Sequence, residues 1–354
     1  MDERTSSYRS LKKKNILLII SLLLLLCITL LLSLNAGVFG MDLTELLKAI
    51  LGQSTAQNNM VMQNVRLPRV VTAVVCGTGL AITGAVLQSV LKNPLAASST
   101  LGVSQGAAFG AAFAIIVFGA GAQGVSAASS VTYHPLLISL FAFLGGMVAS
   151  VVVLFLSRFR KITPESMVLC GVALSAMFTG ATTLLQYFAD DVQVATVVFW
   201  TFGDLGRTGW KEIQIIAFVT LLMLLYSFFN RWKYNALESG EETALSLGIN
   251  VTSFRVTNMV LCALTASVIV SFIGIINFIG LVAPHVCRRI LGNNYVYLLP
   301  ASALSGAFLL LVGDLVARQT IPPIILPIGA ITSFLGAPLF LYLLFKGGAS
   351  RGSR

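Results

Sequence analysis

The fold is decided by one stretch, Ser271-Phe-Ile-Gly-Ile-Ile-Asn-Phe-Ile-Gly-Leu-Val-Ala-Pro-His-Val-Cys-Arg-Arg289, in which glycine and proline interrupt an apolar run that ends in a polar cluster. A helix that only anchors a protein in lipid needs no such interruptions. A helix broken at membrane depth is tolerated only where its freed backbone groups meet protein or line a water-filled cavity. The stretch therefore predicts a membrane protein with a passage or a gate.

Composition agrees with a membrane protein. The 354 residues are 56% hydrophobic and 10% charged, with a mean hydropathy of +0.90, whereas soluble domains are about 25% charged. About 20 apolar residues cross the hydrocarbon core, and such windows predict ten spans: 16–36, 68–91, 101–119, 136–156, 167–189, 212–230, 253–273, 276–287, 297–317 and 325–345. The eighth is too short to cross alone. The predicted fold class is an all-α polytopic membrane protein of about ten helices, compatible with an inverted repeat of two five-helix halves.

An even number of spans places both termini on one side, and the excess of arginine and lysine there predicts the cytoplasm. We expect a cytoplasmic tail over 1–15, one transmembrane domain over 16–346 with its longest inner loop at 235–250, and a cytoplasmic tail over 347–354. The first apolar run is too long for a cleaved signal peptide and lacks a good cleavage site. The net charge of +10 is explained by basic loops facing anionic lipid, so no nucleic-acid partner is predicted.

Three arginines break this charge pattern. Arg66 and Arg69, in the sequence Arg-Leu-Pro-Arg, and Arg318 fall on the predicted outer face. Guanidinium groups bind carboxylates with two parallel hydrogen bonds, so these residues suit an acidic partner. The alternative is that they anchor the helix ends in the membrane interface.

The inner segments offer two further patterns. In the turn from Lys92 to Gly106, Pro94 is expected to end one helix, while Ser98, Ser99 or Thr100 caps the next. The loop 235–250 carries three glutamates on an otherwise basic inner face. Acidic residues favour helix starts and glycine favours helix ends, so short amphipathic helices stopping at Gly248 are expected there. Such an apolar and acidic protrusion is either a solvated loop or a contact surface for a protein partner.

Glycine also recurs within the spans, for example at Gly106 and Gly110. Small residues let helices approach closely in lipid. We expect these two glycines to pack helices within one chain.

Several function classes are disfavoured. The sequence has no GxxxxGK[ST] phosphate loop, no HExxH helix and no GxSxG elbow, so neither ATP hydrolysis nor an intramembrane hydrolase is predicted. The five cysteines show no paired spacing for a disulfide or a metal. Asp314 is the clearest charge inside a span, and the several paired ionisable groups expected of an ion-coupled carrier are not evident. A secondary transporter and a membrane enzyme or scaffold stay as alternatives.

Five motifs occur in a fixed order: Arg66-Leu-Pro-Arg69, Asn93-Pro-Leu-Ala96, Leu101-Gly-Val-Ser-Gln-Gly-Ala107, Phe278-Ile-Gly-Leu-Val-Ala-Pro-His285 with Arg288, and Leu335-Gly-Ala-Pro-Leu-Phe340. Together they resemble the FecCD-type permeases, the membrane subunits of type II ABC importers for iron-siderophores, haem and cobalamin. The resemblance covers residues 16 to 346, nearly the whole chain.

The resemblance implies a non-catalytic subunit of a prokaryotic plasma or inner membrane. It would pair with a second copy or a close paralogue around a central path, and dock two ATPase subunits inside and one substrate-binding protein outside. It implies no metal and no cofactor on this chain, since ATP and Mg²⁺ belong to the ATPase subunits. An iron(III)-siderophore is the first expectation for the cargo, with haem and cobalamin as alternatives.

The resemblance also assigns roles to residues. Docking of the binding protein would use Arg66, Arg69 and Arg318. Coupling to the ATPase would use Ala236, Leu237, Glu238, Glu241, Glu242, Ala244, Leu247 and Gly248. The translocation path and its gates would involve Asn93, Pro94, Met167, Gly171, Asn277, Gly280, Pro284, His285 and Arg288. The chain departs from the family pattern at Ala97 and Ser98, and at Ile325, where the family usually has a glutamate.

Overall fold

The structure, a computed structural model, describes residues 2–36, 42–121, 134–159 and 164–348. This part of the chain is helical, as the composition predicts, and its helices are α1 Asp2–Asn35, α2 Leu43–Ile50, α3 Ala56–Val61, α4 Leu67–Val90, α5 Val103–Val117, α6 Pro135–Phe159, α7 Pro164–Tyr187, α8 Asp191–Thr201, α9 Trp210–Phe229, α10 Arg231–Glu238, α11 Glu241–Ser246, α12 Val251–Ile273, α13 Ile279–Leu291, α14 Tyr295–Gln319 and α15 Ile328–Gly348.

The ten predicted spans correspond to α1, α4, α5, α6, α7, α9, α12, α13, α14 and α15. Seven helices among the described residues are long and apolar enough to cross a membrane, while α5 and α15 are shorter apolar helices. Helix α13 has 13 residues and spans about 20 Å, less than the hydrocarbon core of about 30 Å. The prediction that this span is too short to cross alone is confirmed, and the partial crossing stays a prediction. The inverted repeat stays a prediction, and residues 349–354 of the predicted C-terminal tail lie outside the described part.

Helix α4 is the central element and packs against α9, α12, α13 and α14. Its contact with α13 depends on glycine, because a Cβ on Gly84 would overlap the carbonyl oxygen of Gly280. Close helix approach through small residues is the usual means of packing helices in lipid. The contact between α5 and α6 is built in the same way, since Gly106 and Gly110 lie against the backbone of α6. The prediction that these glycines pack helices within one chain is confirmed.

The interruption predicted near Gly274 is also confirmed, although the proline does not cause it. Helix α12 ends at Ile273, Gly274 and Phe278 have φ values of 78° and 67°, and α13 begins at Ile279. Pro284 lies inside α13. The freed backbone meets protein: the amide of Asp204 donates to the carbonyl of Ile273 at 2.8 Å. The break is therefore buried against the segment after α8, as the low-dielectric surroundings require.

Candidate coupling and gating site

A buried ion network joins the ends of α4 and α14, at the end of the bundle predicted to face outward. Asp314 has no exposed surface. Its Oδ1 accepts a hydrogen bond from Arg69 Nε at 2.8 Å, and its Oδ2 accepts one from Arg318 Nε at 2.9 Å. The half-exposed carboxylate of Asp204 lies 3.4 Å from Arg69 Nη1. One carboxylate is thus shared by two arginines, which ties the two helices together.

The arginines of this end also hold the last turn of α1. Arg318 donates through Nη2 to the hydroxyl of Ser33 at 2.6 Å and through Nη1 to the carbonyl of Ala36 at 3.0 Å. Arg66 Nη1 donates to the carbonyl of Leu34 at 2.9 Å, between buried groups. Exposed carbonyl groups at a helix end need donors, and these guanidinium groups supply them. Arg66, Arg69 and Arg318 therefore direct donors into their own chain, and their docking role stays a prediction.

The expectation that this chain lacks paired ionisable groups inside its spans is wrong for Asp314. A carboxylate that is fully removed from water needs a counter-charge, and Arg69 and Arg318 provide two. The three side chains thus form one buried ion cluster between α4 and α14.

At the opposite, inner end, the loop 235–250 folds into the predicted short helices. Helix α11 has Glu241 and Glu242 in its first turn, and Gly248 follows it with a φ of 78°. Both predicted features, the acidic start and the glycine stop, are confirmed.

Glu238, the last residue of α10, contacts the end of α13. Its Oε1 accepts from Arg288 Nη1 at 2.7 Å, and Arg288 Nη2 donates to the hydroxyl of Tyr295 at 2.9 Å. The Tyr295 hydroxyl lies 3.2 Å from the carbonyl of Ala85 on α4. The Tyr295 amide donates to Asn235 Oδ1 at 2.8 Å. Helix α10 is thus bonded to the junction between α13 and α14.

Glu241 makes a second set of contacts. Its Oε1 accepts from Arg255 Nη2 at 2.7 Å and lies 3.7 Å from Lys92 Nζ. Arg255 Nε donates to the carbonyl of Val90, the last residue of α4, at 2.7 Å. Helix α11 is therefore fastened to α12 and to the inner end of α4.

A buried hydrogen bond fixes α10 on α12. The Tyr234 hydroxyl donates to Asn258 Oδ1, while Asn258 Nδ2 donates to the carbonyl of Phe254 at 2.7 Å. Burial raises the pKa of the Tyr234 phenol well above its usual range, so the hydroxyl keeps its proton. No sequence pattern predicted this pair, since a tyrosine and an asparagine in separate helices follow no motif.

The structure divides the predicted coupling residues into two groups. Those buried in the chain's own core are Ala236, Leu237 and Ala244. Those exposed at the inner surface are Glu242, Leu247 and Gly248, while Glu238 and Glu241 are partly exposed. Leu237 and Ala244 are not part of the apolar protrusion that the sequence predicts, because each short helix turns its apolar side onto the bundle. The buried group is not accessible to a partner.

The predicted gate residues fall into three places. Asn277, Gly280, Pro284 and His285 lie on α13 or just before it, and the ring of His285 meets the edge of Phe340 on α15 with centroids 5.8 Å apart.

Asn93 and Pro94 form the inner turn after α4. Asn93 Oδ1 accepts from the amide of Leu95 at 2.9 Å. The predicted cap of the next helix is wrong: the Thr100 hydroxyl bonds the backbone of Ala97, and Gly102 precedes α5 with no side-chain cap.

Met167 and Gly171 lie on α7 but face inward. Met167 is 5% exposed, and a Cβ on Gly171 would overlap the carbonyl oxygen of Thr100. These two residues pack α7 onto the inner turn and do not line an open surface. The exposed face of α7 contains a stripe of small residues instead, namely Ala173, Ala176, Gly180 and Thr183.

No cluster of three or more metal-ligating side chains occurs among the described residues. All five cysteines are free, three of them buried. The site is made of ion pairs, helix ends and a broken helix.

Comparison with known proteins identifies the family of this chain. The sequence profile of the FecCD transport family matches residues 24–346. The chain belongs to the FecCD transport family. The match confirms the family indicated by the five motifs, and with it an integral membrane permease of the metal-chelate ABC importer type.

Individual FecCD relatives agree over nearly their full lengths. The chain is 48% identical to a protein of Methanocaldococcus jannaschii named as an ABC transporter permease, over 96% of this chain and 97% of the relative. It is 33% identical to the iron(3+)-citrate import permease YfmE of Bacillus subtilis, over 94% and 96%. Among solved structures, it is similar to one titled as a metal-chelate type ABC transporter in an inward-facing conformation, with a TM-score of 0.80, 31% identity and coverage of 93% and 98%.

Proposed function

We propose that this chain is the membrane-spanning permease subunit of an ATP-driven importer that moves an iron(III)-siderophore or a related metal chelate into the cytoplasm by alternating access. The observation that carries the proposal is the inner site: two short helices, α10 and α11, are bonded through Glu238 and Glu241 to α13, α12 and α4 and leave a small exposed surface. That arrangement suits a subunit that receives movement from a partner. The catalytic power would come from separate ATPase subunits that bind ATP and Mg²⁺.

The cargo class rests on relatives. One relative is named for iron(3+)-citrate, and the solved neighbour is titled as a metal-chelate transporter. No residue in the described part distinguishes one chelate from another, so haem and cobalamin remain alternative cargoes. In the complete complex we propose a second copy of this chain or a close paralogue, two ATPase subunits and one extracytoplasmic binding protein, with both termini of the chain in the cytoplasm.

The direct test is reconstitution of the chain with its ATPase and binding-protein partners in proteoliposomes. Uptake of radiolabelled iron(III)-citrate, an iron(III)-hydroxamate, haem and cobalamin is measured with ATP on the ATPase side, with a non-hydrolysable analogue, and with an imposed proton or sodium gradient. We expect ATP-dependent uptake of an iron chelate. Uptake that follows an ion gradient without ATP would identify a secondary transporter. Uptake of cobalamin and of no iron chelate would identify cobalamin as the cargo.

Contact with the ATPase is tested at Glu242, which is exposed on the inner surface. Glu242→Arg reverses one charge at the proposed contact without removing an internal ion pair of the described chain. We expect weaker binding of the ATPase subunits, more so at low salt, because exposed charges act over about 10 Å at 0.1 M salt. Titration of purified ATPase onto the chain in nanodiscs measures the affinity.

The matched control is Glu45→Arg, which reverses an exposed charge on α2, at the other end of the bundle. Its ATPase affinity should equal that of the wild type. Equal affinity for the Glu242 variant would remove this residue from the contact.

A further inference from the structure

We infer that the Glu238–Arg288 ion pair is the link through which movement of the α10–α11 segment turns α13, while the Glu241–Arg255 pair holds the same segment to α12 and to the inner end of α4. The inference rests on the proposed function, since it assigns a route for the movement that an ATPase would impose. It makes Glu238 and Arg288 positioning residues that act on the gate through α13.

The first support is the place of the pair at two helix ends. Glu238 is the last residue of α10, and Arg288 lies in the last turn of α13. The Arg288 Nη1 and Glu238 Oε1 atoms are 2.7 Å apart, and the side chains of Arg288 and Glu238 are 18% and 26% exposed. A pair so little exposed is screened less by salt and water than a surface pair. The contact therefore transmits force better than a solvated ion pair would.

The second support is the geometry of α13, a short helix that can rotate as one rigid unit. Phe278 precedes it with a φ of 67° and Gly292 follows it with a φ of 80°, so the helix is bounded by a non-helical joint at each end. Hinges commonly lie at such element-terminal residues. Arg288 is near one joint, and Asn277 is near the other, about 15 Å away along the helix. A displacement at Arg288 therefore moves the opposite end as well.

The third support is the packing on either side of α13. One side lies directly on α4, where Gly84 meets Gly280. The other side borders a cavity of about 60 Å³, which Phe278, Ile279 and Val282 line together with residues of α14 and α15. The cavity walls are almost entirely apolar, so rearranging them exposes no buried polar group. The start of α13 is also in close contact with α15, since a Cβ on Gly336 would overlap the Cβ of Phe278. A rotation of α13 about its contacts with α4 and α15 would therefore be taken up by this cavity.

The fourth support is the division between the two glutamates. Glu241 bonds to Arg255 on α12, and Arg255 bonds to the end of α4, which is the central helix. Glu238 bonds instead to the shortest of the ten spans. The α10–α11 segment is thus bonded to the bundle, through Glu241 and through the Tyr234–Asn258 bond to α12, and to the hinged α13, through Glu238. Its movement therefore reaches α13 through Glu238.

The test follows the outer end of α13 without any cargo. Asn277→Cys is introduced into a chain whose native cysteines are replaced, and the chain is assembled with its ATPase subunits in nanodiscs. The rate of maleimide labelling at position 277 is compared without nucleotide and with ATP plus vanadate. With the native ion pair, we expect nucleotide to change the labelling rate.

Glu238→Gln removes the charge and nearly keeps the shape. With the amount of bound ATPase matched by titration, we expect the nucleotide-dependent change in labelling to fall about tenfold, within the usual range of coupling between sites. Arg288→Gln should do the same. The reversed pair, Glu238→Arg with Arg288→Glu, should restore part of the response. Arg289→Gln, at the adjacent exposed position, is the matched control and should keep the full response.

An unchanged response in both single variants would overturn the inference, and so would loss of ATPase binding in Glu238→Gln, since the residue would then act in docking. The two single variants decide the question if the reversed pair does not assemble. Failure of the proposed function looks different: the chain with its native ion pair would then neither bind ATPase subunits nor respond to nucleotide.

Discussion

At the scale of single residues, Asp314 is the most consequential side chain of the outer end. It is fully buried and is the counter-charge for both Arg69 and Arg318. Asp314→Asn leaves two guanidinium groups without that charge, and removing one partner of a buried ion pair costs about 3 to 5 kcal/mol. We therefore expect a marked fall in melting temperature. A thiol-reactive dye measures it, because Cys76, Cys262 and Cys287 are buried until the chain unfolds.

The control for this prediction is Asp204→Asn. Asp204 contacts the same Arg69, but at 3.4 Å and with its side chain 44% exposed. Exposed pairs contribute about 0 to 1 kcal/mol, so the melting temperature should change little. Equal effects of the two substitutions would show that the buried network does not stabilise the outer end.

The sequence pattern singled out each member of this network but did not predict that they contact one another. Arg69 and Arg318 stood out because they break the orientation rule, and Asp314 stood out as a charge within a span. Arg69 and Asp314 are 245 positions apart, and no local pattern links residues at that separation. The same limit applies to Glu238 and Arg288, which were predicted as coupling and gate residues but not as partners.

At the scale of helices, the contact of α4 with α13 depends on the absence of a side chain at Gly84. A Cβ there would overlap the backbone of Gly280, and backbone cannot move aside as a flexible side chain does. Gly84→Ala should therefore push α13 away from α4, with an overpacking cost of about 1 to 3 kcal/mol. The dye assay should report a lower melting temperature.

Gly313→Ala is the matched comparison, since Gly313 also lies within a membrane helix, α14, but an added Cβ there would make only ordinary contacts of 3.5 Å with Ile328 and Thr332. Its melting temperature should stay the same or rise slightly, because alanine favours a helix over glycine. A fall of equal size in both variants would contradict the packing argument.

The positions of the helices along the chain were easier to predict than the contacts that the helices make. Long apolar windows located the ten spans, since length and hydropathy are properties of the local sequence. The break before α13 was visible in the glycine and the short eighth window. What it packs against was not, because the segment around Asp204 and the start of α15 are distant in sequence. The short helices α2, α3 and α8 were not predicted, because fewer than 12 residues carry little periodic signal.

At the scale of the whole molecule, the faces left open by α7 and α9 both carry large apolar side chains, such as Val172 and Met177 on α7, but α7 also has an exposed stripe of small residues. The exposed residues of α9 include large side chains, such as Ile215, Phe218 and Leu221, which suit lipid. The stripe on α7 is small, with Ala176 and Gly180 at its centre. Because lipid removes any hydrophobic drive for helices to associate, small residues mark the places where helices meet closely. The proposed second copy should therefore approach along α7.

Cross-linking between copies tests this placement. In a chain with Cys27 and Cys170 replaced by serine, Thr183→Cys places one thiol on the α7 stripe, and Leu221→Cys places one on the lipid-facing side of α9. A two-fold interface brings identical residues near the axis together. A short bis-maleimide added to membranes should therefore give a covalent dimer with the first variant and not with the second. Dimer formation by the α9 variant alone would move the interface to that face, and equal yields from both would show collision without a defined interface.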